Sequence, residues 1–451
     1  MNRKTNMSPK IDKSNVIFPK GLTEETVRLI SKIKEEPEWM LKIRLEAFHT
    51  FESMKNPKWG IDLSEIDCNN IKYYAYAGEK SKSWDDIPKD IKDTFDKLGL
   101  PETEQKYLAG LTTQYESEAI YHNLKSQWQE MGIIFEDTDT ALKKYPEYFN
   151  EYFGKLVPYT DNKYAALNTA VWSGGTFIYV PKGVKLWMPV QTYFRINMER
   201  MGQFERTLII ADDDSQIHYI EGCTAPQYVN SSLHSAIVEI YVKNNAKVRY
   251  TTLQNWSKNV YNLVTKRAIT HKNGVMEWVD CNIGSRGTMK YPSVVLYGDN
   301  SHAELLSMAM ASKDQNIDSG GKMIHIGKNT TSIINSKTIS KENGVATYRG
   351  LSKITQSALN SRSKVDCQSL VVDKDSKSYS YPVNTVSNKS SILEHEASIS
   401  RLSSEKIYYL MCRGFTQEQA TKLILSGFIQ DITDQLPMEY AVELERLLEL
   451  F

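Results

Sequence analysis

The sequence predicts a mainly β protein with a parallel β-helix core between a helical N-terminal region and a helical C-terminal region. Short runs rich in β-branched and aromatic residues fill the centre of the chain, and turn-forming residues recur there at intervals of about 26 to 31 residues. Helical hydrophobic patterns precede and follow this stretch. Such a repeated strand–turn–strand unit is typical of a solenoid, and the pattern alone leaves a large antiparallel sandwich open as an alternative.

The N-terminal region, residues 1–156, has the pattern of successive helices. Thr23, followed by two glutamates, predicts the N-cap of the first helix. Pro37 ends that helix and begins a second one over 38–54. A third helical run is expected over 101–128.

The central region, residues 157–396, is predicted to form the β-helix. No long helical pattern interrupts it, so a sheet built from βαβ units is disfavoured. The turns expected in successive coils lie at Gly183, Asp214, Asn245, Asn273, Asp299 and Lys328-Asn329.

The C-terminal region, residues 397–451, is predicted to be a small helical domain. Its helices are expected over 405–413, over 417–425 with Gly427 as the stop, and from Pro437 onward. A helical domain after a solenoid either caps the last coil or docks a partner, and the pattern leaves both open.

Composition excludes several classes of protein. The 451 residues carry 55 Lys and Arg against 55 Asp and Glu, so no net charge attracts nucleic acid. No membrane-spanning run of about 18 apolar residues is present, and no apolar secretion segment follows the basic N-terminus. Five widely spaced cysteines form neither a disulfide framework nor a C-x-x-C site, which fits a reducing cytoplasm. P-loop and nucleophile-elbow motifs are absent, so nucleotide hydrolysis would need another subunit.

The most unusual polar cluster is Glu394-His395-Glu396. Two carboxylates beside an imidazole suit metal binding or proton relay, and a polar edge strand with His395 on the opposite face explains the pattern equally simply. Cys367 lies 29 residues before Glu396. Residues one coil apart stack in neighbouring strands about 4.8 Å apart. The thiol and the carboxylate are therefore predicted to meet at one surface.

The same spacing surrounds Cys223. Arg195 and Gln254 lie 28 residues before it and 31 after it, and Asn197 and Trp256 follow each of them by two residues on the same strand face. A guanidinium and amides around a thiol would stabilise the thiolate and make the sulfur nucleophilic. A small buried hydrophobe is the other interpretation, and it is the one we prefer for the remaining cysteines, Cys68, Cys281 and Cys412.

Nine short segments spread over nine-tenths of the chain resemble the SufB family, the scaffold subunits of the SUF iron–sulfur cluster assembly machinery. They are EPEWM at 36–40, EQKYLAG at 104–110, AVWSGG at 170–175, YFRIN at 193–197, MGQFERT at 201–207, EGCTAP at 221–226, QNW at 254–256, LEHEA at 393–397 and LPMEYAVE at 436–443.

The resemblance implies a right-handed parallel β-helix in a cytoplasmic complex with a paralogous subunit, SufD, and an ATPase, SufC. A cysteine desulfurase with its sulfur carrier would supply persulfide, and apo iron–sulfur proteins would receive the cluster. Partners are thus proteins, with no nucleic acid and no membrane. The chain would be a scaffold for a transient iron–sulfur cluster rather than an enzyme. Binding of reduced flavin by the complex, and pairing with SufD rather than self-association, stay open.

The resemblance also implies residue roles. Cys223 would accept sulfur, and the C-terminal helices at about 403–435 would dock the ATPase. Some relatives carry a closely spaced N-terminal cysteine motif, where this chain has only Cys68. The residues that would line the sulfur route are Arg195, Asn197, Gln254, Trp256 and Lys272. Those that would hold iron and the nascent cluster are Cys367, Glu394, His395 and Glu396.

Two alternatives of other classes remain at this stage. A β-helix enzyme acting on polysaccharides would use clustered carboxylates beside exposed aromatic residues. A purely structural half of a heteromer would need neither Cys223 nor Glu394.

Overall fold

The chain folds into a parallel β-solenoid of about seven coils with helices before and after it. The computed structural model describes residues 17–76, 106–195, 200–224 and 232–450, and also residues 81, 85, 89, 92 and 104. Strands one coil apart pair in parallel along most of two sheets. The predicted β-helix is confirmed, and the antiparallel sandwich is wrong.

The first sheet has ten strands and forms one wall of the solenoid. In spatial order they are β2 (Glu118–Leu124), β1 (Gly110–Tyr115), β5 (Val190–Arg195), β8 (Gln216–Thr224), β10 (Lys247–Trp256), β12 (Val275–Gly284), β15 (His302–Ala311), β18 (Thr331–Ser340), β20 (Arg362–Val371) and β22 (Ile392–Arg401).

The second sheet has twelve strands and forms the facing wall. They are β3 (Ile134–Asp137), β4 (Thr176–Val180), β6 (Gly202–Gln203), β7 (Arg206–Ala211), β9 (Ser232–Val242), β11 (Val260–Thr270), β13 (Gly287–Lys290), β14 (Ser293–Leu296), β16 (Asn316–Ser319), β17 (Lys322–His325), β19 (Val345–Ile354) and β21 (Lys377–Val386).

The helices pack on the outside of the two walls. The α-helices of the described residues are α1 (Glu24–Lys34), α2 (Glu38–Ser53), α3 (Ser126–Glu130), α4 (Thr138–Lys144), α5 (Pro146–Tyr152), α6 (Lys163–Val171), α7 (Ser404–Cys412), α8 (Gln417–Thr433) and α9 (Met438–Leu450). None of these helices is long and apolar enough to cross a bilayer.

Two helix predictions are wrong. The run expected over 101–128 contains the antiparallel hairpin β1–β2, whose first strand pairs with β5 and extends the first sheet. Helix α8 also continues through Gly427 to Thr433. Gly427 does not have the positive φ of a helix-ending glycine, and one glycine inside a helix costs only about 1 kcal/mol. The N-cap of α1 is confirmed, since the Thr23 side chain accepts a hydrogen bond from the Thr26 amide.

A ladder of amide side chains marks one corner of the solenoid. Each side chain amide donates to the residue one coil earlier, at distances between 2.8 and 3.2 Å. The residues have φ between 55° and 59°, a left-handed conformation that Asn and Asp tolerate best among side-chain-bearing residues. The ladder consists of Asp214, Asn245, Asn273, Asn300 and Asn329. It confirms the predicted turns, with Asn300 rather than its neighbour Asp299 in the left-handed position.

The C-terminal helices cover the outer face of the first sheet. Buried residues of α8 and α9, such as Ile429 and Leu444, pack against outward-facing strand residues that include Leu253 and Cys281. The N-terminal helices cover part of the second sheet in the same way. In the described part of the chain, the solenoid interior is filled mainly by side chains of the two walls, and Trp128 of α3 packs against its first coils.

Candidate functional site

Three columns of side chains from the first sheet face the solenoid interior. Along each column, every residue pairs in register with the next one, one coil further on. The first column is mostly apolar and comprises Tyr219, Tyr250, Trp278, Leu305, Ile334, Val365 and His395. The second is polar and comprises Glu221, Thr252, Asp280, Ser307, Ser336 and Cys367. The third comprises Cys223, Gln254, Asn282, Ala309, Thr338 and Ser369.

The second column, called the polar column below, is continuous and buried. Each of its six members is at most 5% exposed. The hydroxyls of Ser307 and Ser336 have no hydrogen-bond partner among the described residues. These two hydroxyls lie in successive coils and are free to donate a hydrogen bond to a polar group in the column.

Cys223 lies at the start of the third column and is 1% exposed. Gln254 stacks on it as predicted, with Nε2 3.8 Å from Sγ. Trp256 and Phe194 belong to the same buried cluster. Arg195 is different: it pairs with Thr224, while Phe194 pairs with Cys223. A shift of one residue places a side chain on the opposite strand face, so the guanidinium is not beside the thiol.

Burial, reinforced by nearby Glu221 and Glu205, raises the pKa of the Cys223 thiol well above its usual range. Lys266 and Lys290 oppose this effect only in part. The predicted stabilised thiolate is therefore wrong. The thiol is protonated at neutral pH, and it must lose its proton when it reacts.

Two buried lysines of the second sheet face the polar column. Lys290 Nζ lies 2.9 Å from Asp280 Oδ1, and Lys266 Nζ lies 3.4 Å from Glu221 Oε1 and 3.7 Å from the same Asp280 oxygen. Tyr250 donates a hydrogen bond to Glu221, and its ring lies 4.3 Å from Lys266 Nζ. Four ionisable side chains thus share one buried interior.

Burial and the neighbouring charges shift the pKa values of these side chains. Burial lowers the pKa of Lys290 to about 8, against the attraction of Asp280. Burial by itself would raise the pKa of Glu221, but Lys266 together with the Tyr250 hydroxyl reverses this and the pKa is lowered. Glu221 is therefore a carboxylate at neutral pH, while Lys290 is close to its titration point.

A hydrogen-bonded chain links this network to Cys223. Gln254 Oε1 accepts from Lys290 at 3.0 Å and from Asn262 Nδ2 at 2.8 Å. Asn262 Oδ1 lies 2.7 Å from His234 Nδ1, and His234 Nε2 lies 2.6 Å from Glu205 Oε2. Gln254 therefore joins the sulfur to both the lysine and the histidine.

Sequence reasoning missed most of this network. The coil spacing that predicted the pairing of Cys223 with Gln254 also relates Glu221 to Asp280, through Thr252. This spacing could have identified the two carboxylates from the sequence. No comparable signal marks the lysines, because they come from the opposite sheet.

Among the predicted route residues that the structure describes, Lys272 does not face this interior either. Lys272 is exposed at a turn between β11 and β12, so Lys266 and Lys290 are the lysines that face the interior instead. Asn197 lies outside the described residues.

Cys367 and His395 meet at the last coils of the solenoid. Cys367 Sγ lies 3.8 Å from His395 Nε2, and the Asn384 amide lies 3.0 Å from His395 Nδ1. Burial raises the pKa of the Cys367 thiol to about 12 and lowers the pKa of the imidazole. A neutral imidazole beside a thiol is a pair of donors suited to iron.

Glu394 and Glu396 lie on the other face of β22. Glu396 pairs with Asp366, whereas Cys367 pairs with Ala397, and both glutamates are exposed. The predicted meeting of Cys367 with Glu396 is therefore wrong by one residue, and His395 takes that place. No group of three or more His, Cys, Asp or Glu in the described part of the chain is arranged to hold a metal ion.

Thiol accessibility gives a first prediction. Cys412 is exposed, while Cys223, Cys281 and Cys367 are at most 3% exposed. Iodoacetamide should therefore alkylate Cys412 of the native chain much faster than Cys223, which should react fully only after denaturation. Peptide mass spectrometry over a time course measures this. Equal native rates at Cys412 and Cys223 would contradict the buried position of Cys223.

Comparison with known proteins assigns the chain to a family. The model of the SufBD core domain of the SUF iron–sulfur cluster assembly system matches residues 194–428, and the model of the SufBD N-terminal region matches 24–192. The chain is 54% identical to the iron–sulfur cluster assembly protein SufB of Bacillus subtilis, over 97% of this chain and 95% of the relative. It is 57% identical to an iron–sulfur cluster assembly SufBD family protein of Staphylococcus haemolyticus, over 95% of this chain and 93% of the relative.

These matches cover both helical ends and the solenoid, so they concern the whole architecture rather than one motif. They support a role in iron–sulfur cluster assembly within the SUF system and leave the polysaccharide-active alternative without support. This chain therefore belongs to the SufBD family of iron–sulfur cluster assembly proteins, as a member of the SufB type.

Proposed function

We propose that the chain accepts sulfane sulfur at Cys223 and supports assembly of a nascent iron–sulfur cluster near Cys367 and His395. The observation that carries the proposal is the buried polar column, which leads from the coil of Cys223 to Cys367. In this account the chain is a scaffold, and the cluster is its cargo.

Loading of Cys223 is a thiol–persulfide exchange. The Cys223 sulfur attacks the outer sulfur of a carrier persulfide, the carrier leaves as a thiol, and Cys223 becomes a persulfide. No net oxidation occurs, and the proton lost by Cys223 is taken up by the departing thiolate. A cysteine desulfurase with its carrier is the proposed source.

The interior then has to move sulfur over a distance. Five strand steps separate β8 from β20, which is about 24 Å at about 4.8 Å per step. One thiol cannot reach the other, so a small thiol would attack the outer sulfur of the Cys223 persulfide. Cys223 would leave as a thiol, and the sulfur would travel as the small persulfide anion, with no net oxidation. Lys266 and Lys290 would offset its charge, and the unpaired hydroxyls of Ser307 and Ser336 would donate hydrogen bonds to it.

The end of the solenoid supplies an incomplete set of cluster ligands. Cys367 and His395 converge, whereas a cubane or rhombic cluster takes four ligands. The missing ligands would come from a partner chain or a small thiol. Glu394 and Glu396 lie outside this shell, and we propose that they attract iron to the last coil from its outer face.

The same end is suited to a second solenoid. In the described chain, β21 pairs only with β19 and β22 only with β20, so both present an open edge. A paralogous β-helix subunit such as SufD could continue both ladders by strand addition. Exposed apolar side chains surround these edges: Tyr379, Tyr381, Val383, Ile392 and Ile399.

The C-terminal helices would dock an ATPase of the SufC type. Helix α7 exposes Tyr408 and Tyr409, and the turn that follows it exposes Phe415. Helix α9 reaches back to the first sheet. There the Tyr440 hydroxyl accepts a hydrogen bond from Gln191 at 2.9 Å and lies directly over Gly222, next to Cys223. Movement of the helices during ATP hydrolysis would thus reach the strand that carries the sulfur acceptor.

Anaerobic reconstitution tests the cluster site. The complex of this chain with its ATPase and its paralogue should bind iron and sulfide and show the absorption and Mössbauer spectra of an iron–sulfur cluster. Replacing Cys367 with serine, or His395 with alanine, should remove most of that iron and sulfide, because one of two convergent ligands is lost.

Cys68→Ser is the matched control, because Cys68 belongs to none of the three interior columns. This variant should leave the iron content unchanged. Full iron and sulfide content in the Cys367 and His395 variants would exclude these residues as ligands. A colourless wild-type complex would overturn the proposed function as a whole.

A further inference from the structure

A cavity of about 390 Å³ lies outside the solenoid, between the segment after α2 and the outer face of the second sheet. It lies on the opposite side of β11 from the polar column. Lys266 and Arg267 both belong to its lining, but the Lys266 side chain points into the solenoid, whereas Arg267 pairs with Asp161 at the cavity. Its size falls within the usual range for small-molecule sites. None of the roles proposed above uses it.

The lining of the cavity is strongly basic. Five cationic residues line it, and apart from Lys266, whose ammonium lies inside the solenoid, they are Lys55, Lys163, Arg267 and Lys322. Asp161 is the single carboxylate among the lining residues. Asp161 already pairs with Arg267 at 2.9 Å. Asp161 also attracts Lys322, from beyond ion-pair distance, but cations outnumber carboxylates at the cavity, so the cavity attracts anions.

Lys322 is the most informative of these residues. Its ammonium makes no hydrogen bond or ion pair with any residue that the structure describes, and it lies 5.2 Å from the centre of the Tyr291 ring. Burial lowers its pKa, and neighbouring Arg267 adds to that effect. A partly buried cation without a partner destabilises the fold unless something offsets its charge, and a bound anion would do so.

Aromatic rings stand beside the cations. Trp59, which is 48% exposed, and Tyr291 lie 5.7 Å apart between ring centres, and both line the cavity. Tyr291 is partly buried, and Arg349 lies over the Trp59 ring at 5.2 Å. An exposed ring beside cations suits a ligand that combines a flat ring with a negative group.

We propose that this cavity binds a small organic phosphate that carries a flat aromatic ring, with Lys322 and Lys163 on the phosphate and Trp59 against the ring. The proposal is independent of the sulfur and cluster sites. Lys322→Gln should weaken binding by at least about tenfold, since it removes a charge-assisted contact.

Titration calorimetry of the full chain tests this, with adenosine monophosphate, adenosine and inorganic phosphate as probes. The monophosphate should bind more tightly than either of the others. Lys328→Gln is the matched control: it removes the same charge from the exposed turn that follows β17, outside the cavity lining, and should change nothing.

Trp59→Leu provides a second variant that leaves the cations intact. This variant should bind adenosine monophosphate more weakly than the wild type and should bind inorganic phosphate equally well. The proposal is overturned if the wild-type chain shows no saturable binding of the monophosphate, if phosphate alone binds as tightly, or if Lys322→Gln binds like the wild type.

Discussion

Replacing Glu239 with alanine is expected to lower the free energy of unfolding by about 3–5 kcal/mol, because it leaves a buried guanidinium without its partner. Glu239 and Arg206 are almost fully buried and lie 2.9 Å apart on the outer face of the second sheet. The same carboxylate accepts hydrogen bonds from the backbone amides of Gly154, Leu156 and Val157 at 2.9 to 3.0 Å. One side chain thus fastens the end of the N-terminal region to the solenoid.

Urea denaturation followed by circular dichroism measures the loss. Glu342→Ala is the control, because Glu342 is exposed at a turn and its ion pair with Lys341 is a surface pair, worth at most about 1 kcal/mol. Limited proteolysis should show early cleavage near residue 155 in the Glu239 variant. If both variants unfold at the same urea concentration, the buried pair does not hold the N-terminal region in place.

Replacing Cys223 with alanine is expected to abolish cluster formation when sulfur comes from the desulfurase. The thiol is the sulfur acceptor in this account, and no neighbouring cysteine in the described interior can replace it. Its fold should survive, since alanine fits a small buried site and the lost contact with Gln254 is weak at 3.8 Å.

Cys281→Ala is the matched control. Cys281 is just as buried, in the first sheet two coils on, but it faces outward into the apolar cluster under the C-terminal helices. This variant should assemble clusters at the wild-type rate. Undiminished desulfurase-dependent assembly by the Cys223 variant would remove Cys223 from the mechanism, and a loss in both variants would point to a general packing defect.

The coil architecture was predictable because its signals are local. Left-handed turn positions favour Asn, Asp and Gly, so Asn245, Asn273 and Asn329 marked successive corners before any strand pairing was known. The hairpin Gly110–Leu124 was mistaken for helix, although Thr112, Thr113 and Ile120 are β-branched. Its strand conformation depends on pairing with β5, about 80 residues away in sequence, which no local pattern reports.

The candidate site was predictable only to within one residue. Paired interior residues are 27 to 31 positions apart along the third column, so an average spacing finds the right coil but not the right face. Gln254 pairs with Cys223, as predicted. Arg195 pairs with Thr224, the residue after Cys223, and therefore lies on the opposite face of its strand. His395 rather than Glu396 contacts Cys367 for the same reason.

Mapping of persulfides by mass spectrometry tests whether Cys223 is the sulfur acceptor. The complex of this chain with its ATPase and its paralogue would be incubated with the desulfurase, its carrier and cysteine, then alkylated in denaturant and analysed by peptide mass spectrometry. The account predicts one or more additional sulfur atoms on the peptide that contains Cys223 and none on the peptide that contains Cys281. An active desulfurase that leaves Cys223 unmodified, while sulfur appears on Cys367 or another cysteine of this chain, would contradict it.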